Sequence, residues 1–357
     1  MKRKKRRISK IWGILIILIL ITVLFILGYY GIKCISNQIK LNKIKAQITI
    51  PDNFYYVGGD VESGVVISDS KKDQFKGTSY NVINNLKGNQ FVWVPVEVAV
   101  ADDYDQAKKF VNDGKNPIAI KDGDNYKALK YTFDSYFKSC SIVEENESQT
   151  IYGEPIILEN DTVYKSGDES SQKAYQDTFN EMVKSVEKNK GFYIGRFEAG
   201  NLDNAINKDE KITSKAGEEN ISGRDWDNMY KLSRKMYDKD NIQTEMIWGC
   251  QWNATLVWMF QDNNIYKRFF NVRNYGNFYG KLEKTGSNKM YCFKNIYDLV
   301  GNVFEWTQLG KMVAGRAAVG GSYQGDNYLN YTLSDIFIYS TNYVFPDVGT
   351  RVSMYVK

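Results

Sequence analysis

Hydrophobic positions divide the chain into a long uncharged run, a polar connector and a series of short alternating or helical stretches. Residues 2–10 carry seven Lys and Arg and no acid, and Ile11 to Tyr30 follows without a single charge. About 20 residues at 1.5 Å each span a bilayer core, so the run predicts a transmembrane helix. Trp12, Tyr29 and Tyr30 lie near its ends, where amphipathic rings favour the interface. The run is longer than a signal-peptide core and no small-x-small cleavage site follows it. An uncleaved signal anchor is therefore expected, with residues 1–10 as a basic cytosolic tail and 11–30 as a single pass. The rest of the chain then lies outside the cell, at the cell membrane. Residues 31–50 contain scattered isoleucines (Ile35, Ile39, Ile44) in polar sequence and read as a juxtamembrane stalk ended by Pro51.

From residue 51 the pattern shortens. Phe54–Gly59, Gly64–Ser68 and Gln90–Val96 are β-rich runs bounded by Gly, Asp, Asn or Pro, and Tyr126–Phe133 reads as a further strand. Residues 100–172 are otherwise polar and irregular. Lys173–Lys188 places Tyr175, Phe179, Met182, Val183 and Val186 on one helical face. Gly191–Gly200 reads as a strand carrying Glu198. A second helix is expected over Arg224–Asp238 with Ser222 as its cap, and a third over Gly249–Phe260. Residues 271–294 form a loop rich in Gly, Asn and Tyr. These elements amount to an α+β domain over residues 51–357 behind one membrane helix.

Charge and composition narrow the chemistry. The net charge of +5 is concentrated in the first ten residues, leaving 40 basic against 42 acidic residues beyond them, so nucleic acid is not an expected partner. The chain has no histidine. That removes Ser-His-Asp and Cys-His catalysis, His-bound zinc or iron and any imidazole base. The four cysteines, Cys34, Cys140, Cys250 and Cys292, show no Cys-x-x-Cys spacing. Cys250 and Cys292 either pair outside the cell or remain buried thiols.

The stretch with most content is Asn295–Trp306, an apolar run interrupted by Asp298, Gly301-Asn302 and Glu305. Carboxylates in such a setting are solvated, bound to backbone N–H groups, or paired with a cation. Asp298 and Glu305 lie seven residues apart around a bend, and Ca²⁺ accepts carboxylate and carbonyl oxygens together.

Asp298-Leu-Val-Gly-Asn-Val-Phe-Glu-Trp306, followed by Gly320-Gly321-Ser322-Tyr323 and Gly349-Thr350-Arg351-Val352, resembles the C-terminal signature of the formylglycine-generating enzyme (sulfatase-modifying factor) family. The resemblance covers residues 51–357 and is strongest from 290 onward. It implies a C-type-lectin-related fold: loop-rich, with a small twisted antiparallel sheet and flanking helices. It also implies a structural Ca²⁺ held by the side chains of Asp298 and Glu305 and the carbonyls of Gly301 and Val303. Glu198 resembles a glutamate that follows a strand in the family, with a surface or salt-bridged residue as the alternative, and Gln243-Thr244-Glu245 is the nearest match to the family's Pro-Thr-Glu.

The family's oxidases bind Cu(I) through two cysteines shortly after the Gly-Gly-Ser-Tyr block, thiolates being the ligands this soft ion requires. Here the matching positions are Gly325 and Asn330, and no cysteine follows Cys292. The family's other metal chemistry needs a histidine-rich iron site. Neither copper nor iron is therefore expected. The expectation is a non-catalytic membrane protein of the bacterial cell surface whose domain binds a protein or glycan outside the cell. The alternative is a divergent oxidase or another enzyme of this family.

Overall fold

The computed structural model describes residues 2–102, 120–122, 125–130, 152–153, 169–201, 211–239, 241–261, 275–278, 280–311, 315–325 and 337–357. The chain separates into two compact units, Met1–Gln47 and Ile48–Lys357.

The first unit is one helix, Lys2–Lys45, and it is long and apolar enough to cross a membrane. It runs without interruption through the segment expected to be a separate stalk. It also ends six residues before Pro51, in a turn at Ala46 and Gln47 rather than at the proline.

The second unit is an α+β domain built on a seven-stranded antiparallel sheet. In spatial order its strands are Tyr55–Gly58, Val66–Ser68, Gln90–Pro95, Gly191–Gly195, Val352–Val356, Ile242–Met246 and Asp238–Lys239. Alternation along the central strands loads both faces. Val92, Val94, Phe192, Ile194 and Tyr355 join one apolar cluster with Phe179, Met182, Val183 and Val186 of the helix Glu169–Asn189. The other face carries Phe91, Trp93 and Tyr193. There Trp93 packs edge-on to Tyr193 at 4.9 Å, Phe54 and Tyr237 close on Phe91, and the Tyr193 hydroxyl donates to the Thr49 carbonyl at 2.8 Å. Burial on both faces explains why these strands read as continuous apolar runs. Each large side chain removed from water contributes about 1.5–3 kcal/mol.

A second sheet contains Phe337–Ser340, Gly315–Val319, Phe304–Lys311 and Val348–Thr350, with Tyr152–Gly153 also on Phe304–Lys311. Its Phe304–Lys311 and Val348–Thr350 pair is parallel. Glu97–Ala101, Asn125–Lys130 and Ile120–Asp122 form a three-stranded sheet. Residues 131–133 of the expected strand at 126–133, and most of 100–172, lie outside the described residues.

The helix Trp226–Met236 is capped by Asp225, whose carboxylate accepts from the Asn228 N–H at 2.8 Å; the cap is not Ser222. Gly249–Phe260 is helical over the whole range expected. It is buried almost all round, Gln251 and Thr255 included.

Candidate functional site

The signature stretch opens with a tight hairpin. Cys292–Phe293 and Ile296–Tyr297 pair across Lys294-Asn295, both of which have positive φ, the combination that defines a type I′ turn. The Asn295 side chain donates to the carbonyls of Ser63 and Gly64 and ties this turn to the edge of the main sheet. Asp298, Gly301 and Asn302 then bend the chain again, all at positive φ. Gly301 has no substitute there. A Cβ on it would lie 2.7 Å from the backbone N and O of Asn277.

These bends bring the three sequence blocks together. The Gly301 N–H donates to the Gly320 carbonyl at 2.7 Å, and the Tyr323 N–H donates to the Asn302 carbonyl at 2.9 Å. Glu305 stands opposite Gly349 in the parallel pair, and Arg351 reaches back to it. The Glu305 Oε1 accepts from Arg351 Nε at 2.8 Å and lies 2.6 Å from Nη2. Arg351 also donates to the carbonyls of Gly195 and Tyr297. It occupies the step between the strands Val348–Thr350 and Val352–Val356, so one guanidinium links the two sheets.

Glu198 lies at the centre of the same region. It is fully buried, which rules out a surface position. Its Oε2 accepts from Asn220 Nδ2 and Asn302 Nδ2, each at 2.6 Å, and its Oε1 accepts from the Val303 N–H at 3.2 Å. Asn302 is the hub of the group. It also accepts from the Glu283 N–H and Asn277 Nδ2, and donates to the Glu283 carbonyl. Asp298 accepts from the Gly286 N–H at 2.6 Å.

Three buried acids thus share the neighbourhood of one buried arginine. Burial, reinforced by the charges of Asp298 and Glu305, holds the Glu198 carboxyl well above the usual range. Burial pushes Asp298 up to about 7, against the pull of the Gly286 N–H and Arg351. Burial also raises Glu305, against Arg351. Elsewhere, burial pushes Glu245 up to about 8, opposed by Arg234 and by the Trp248 indole N–H, which donates to it at 2.7 Å.

The proposed calcium donors can be judged against this geometry. Glu305 Oε2 is buried and accepts no hydrogen bond, as an oxygen awaiting a cation would be. Asn220 Oδ1 is another buried acceptor without a donor, and it lies close to Gly349. Arg351, by contrast, already supplies Glu305 with one positive charge. Among the described residues no group of three or more Cys, Asp or Glu is arranged to hold a metal, so any ion here depends on carbonyls such as those of Gly301 and Val303.

Cys250 is buried and Cys292 half-buried, and no disulfide joins them; Cys140 and Asn330 lie outside the described residues. Cys292 sits on the hairpin near Arg196, and burial raises its thiol pKa. Arg196 had no part in the sequence reading. It is fully buried and donates to the Thr78 and Asn295 carbonyls and Gln90 Oε1, with its Cζ 5.5 Å from the centroid of the Tyr297 ring. The only signal for it was a charge inside the apolar run Gly191–Gly200.

At the surface next to the signature, Phe304, Phe337, Tyr339, Phe345 and Tyr343 form a chain of ring contacts. Tyr343 and Val344 at its outer end are exposed. Ser322 Oγ donates to Asp347 at 2.7 Å and fixes the adjoining loop against the Gly-Gly-Ser-Tyr block.

No protein-family profile matches the chain, and no curated protein does. Among solved structures, Treponema denticola variable protein 1 is 13% identical, with a TM-score of 0.34 over 46% of this chain and 84% of that one. CarF is 12% identical, with a TM-score of 0.30 over 47% of this chain and 87% of that one. Scores this low establish neither a common fold nor a common activity.

Proposed function

We propose that the chain is a membrane-anchored protein whose domain has the formylglycine-generating-enzyme, C-type-lectin-related architecture and serves for binding or structural interaction rather than oxidation. The observation that carries this reading is where the signature's polar groups go. Asp298, Asn302, Glu305, Ser322 and Arg351 are all buried and bonded to the protein itself. They act as scaffold, and a solute outside does not reach them. The absence of histidine, and of any cysteine after Cys292, removes the ligands on which the family's redox metals depend.

In this reading Lys2–Lys10 stays in the cytosol, the helix spans the membrane, and the domain faces outward with a structural Ca²⁺ on Asp298, Gly301, Val303 and Glu305. The exposed end of the aromatic chain, Tyr343 and Val344 over Phe345, is a suitable contact surface for a protein or glycan, since aromatic side chains give large contact areas at low entropic cost. Metal analysis of the purified full chain tests the proposal. Calcium without copper or iron is expected, with no oxygen uptake in the presence of a cysteine-containing peptide. Stoichiometric copper with oxygen consumption would replace it by a divergent oxidase.

A further inference from the structure

The helix Lys2–Lys45 keeps three large apolar side chains exposed in a largely polar stretch. Ile32, Ile35 and Ile39 are 72%, 64% and 51% exposed, and they stand among Lys33, Cys34, Ser36, Asn37, Gln38 and Lys40. Their spacing of three and then four residues places them within an arc of about 60°. Leu41 and Ile44 of the same stretch point about 180° away. The isoleucine stripe is therefore a separate face, with its own burial left to satisfy. It continues toward the N-terminus through Gly28, Phe25, Ile21 and Leu18 at the same alternating spacing. Alternating steps of three and four are the pattern of a knobs-into-holes helix seam, and a small residue such as Gly28 lets helices approach closely in lipid.

We propose that this stripe is a self-association surface, on which copies of this chain pack in parallel from the membrane span out to Ile39. The occupant follows from topology. Copies of a single-pass protein cross the membrane in the same direction and at the same depth, so Ile32, Ile35 and Ile39 of one copy meet the same residues of the next at matching height. Isoleucine at both alternating positions favours more than two strands. Lys33 and Lys40 fall off the stripe and do not oppose one another across it. The inference rests on the membrane-spanning reading of the helix.

The test is oxidative cross-linking of the full chain in isolated membranes. Cys34 is a built-in control: it is exposed and adjacent to Ile35 in depth, but it points about 130° from the stripe. Ile35→Cys in a Cys34→Ser background is expected to give covalent dimer as the main species. Native Cys34 should give little more than the Cys34→Ser chain. Ile35→Asn with Ile39→Asn should lose the oligomer in detergent while the domain's circular dichroism is unchanged. Cross-linking through Cys34 as strong as through I35C, or none through I35C, overturns the proposal. Carbonate extraction of the same membranes reports the anchor separately. A chain that stays in the membrane without cross-linking fails only the self-association, whereas one that is extracted removes both readings.

Discussion

Arg351 shows how much can depend on one side chain. It is fully buried, ion-paired with Glu305, and bonded to carbonyls from two other segments. Removing one member of a buried pair strands the other, at a cost of about 3–5 kcal/mol. Arg351→Met should lower unfolding free energy by that amount in denaturant titration. Adding Glu305→Leu should recover part of the loss, because the stranded carboxylate goes with it. No recovery would mean that Arg351 acts mainly through its carbonyl contacts. Calcium is decided at the same residues. Asp298→Ala with Glu305→Ala lowers the melting temperature whether or not an ion binds, since Arg351 is left unpaired. The informative readout is the rise in melting temperature on adding calcium, which the native chain should show and the double variant should lose. A native chain indifferent to calcium removes the ion.

Among the elements, the bend at Gly301 leaves no room for a side chain. Its φ is +78° and a Cβ would strike the Asn277 backbone, whereas Gly223, at +69°, has open space around it. Left-handed backbone alone costs a non-glycine residue about 1–2 kcal/mol. Gly223→Ala should therefore cost about that much, and Gly301→Ala clearly more, because the neighbouring backbone must also move. Equal melting temperatures for the two variants would show that the Asn277 contact relaxes freely. Most elements were legible because their boundaries are local. Gly, Pro and Asn punctuate the strands, and Gly249–Phe260 could be delimited to the residue. The three signature blocks do meet in space. Less was legible where two local signals compete: Ser222 and Asp225 both suit a helix cap, and the carboxylate prevails. Long-range features left almost no trace. Nothing near Glu198 announces Asn220 and Asn302 as its donors, and nothing near Arg196 explains a buried cation held by carbonyls. Residues 292–294 read as loop because the I′ turn there uses Lys294-Asn295 instead of the usual Asn-Gly.

For the molecule as a whole, the buried acids set the response to pH. Asp298 and Glu245 titrate near 7 and 8 when folded, against ordinary values near 4 when unfolded. Between those limits the folded chain holds protons that the unfolded chain has released. Their contribution is therefore fully present below about pH 4 and declines as pH rises to about 8, by up to about 1.4 kcal/mol per pH unit per group. Glu245→Gln removes one titrating group without removing its bulk. In chelator, the difference in stability between native chain and variant should shift against the native chain from pH 5 to pH 8; a constant difference would place the Glu245 carboxyl in its ordinary range. The sheet order has a consequence for biosynthesis. Val352–Val356 lies between Gly191–Gly195 and Ile242–Met246, both of which leave the ribosome long before it. Until it arrives, two strand edges stay open side by side. A premature stop between residues 247 and 352 leaves a gap in the middle of the sheet rather than a shortened rim, so late nonsense mutations should be as damaging as early ones.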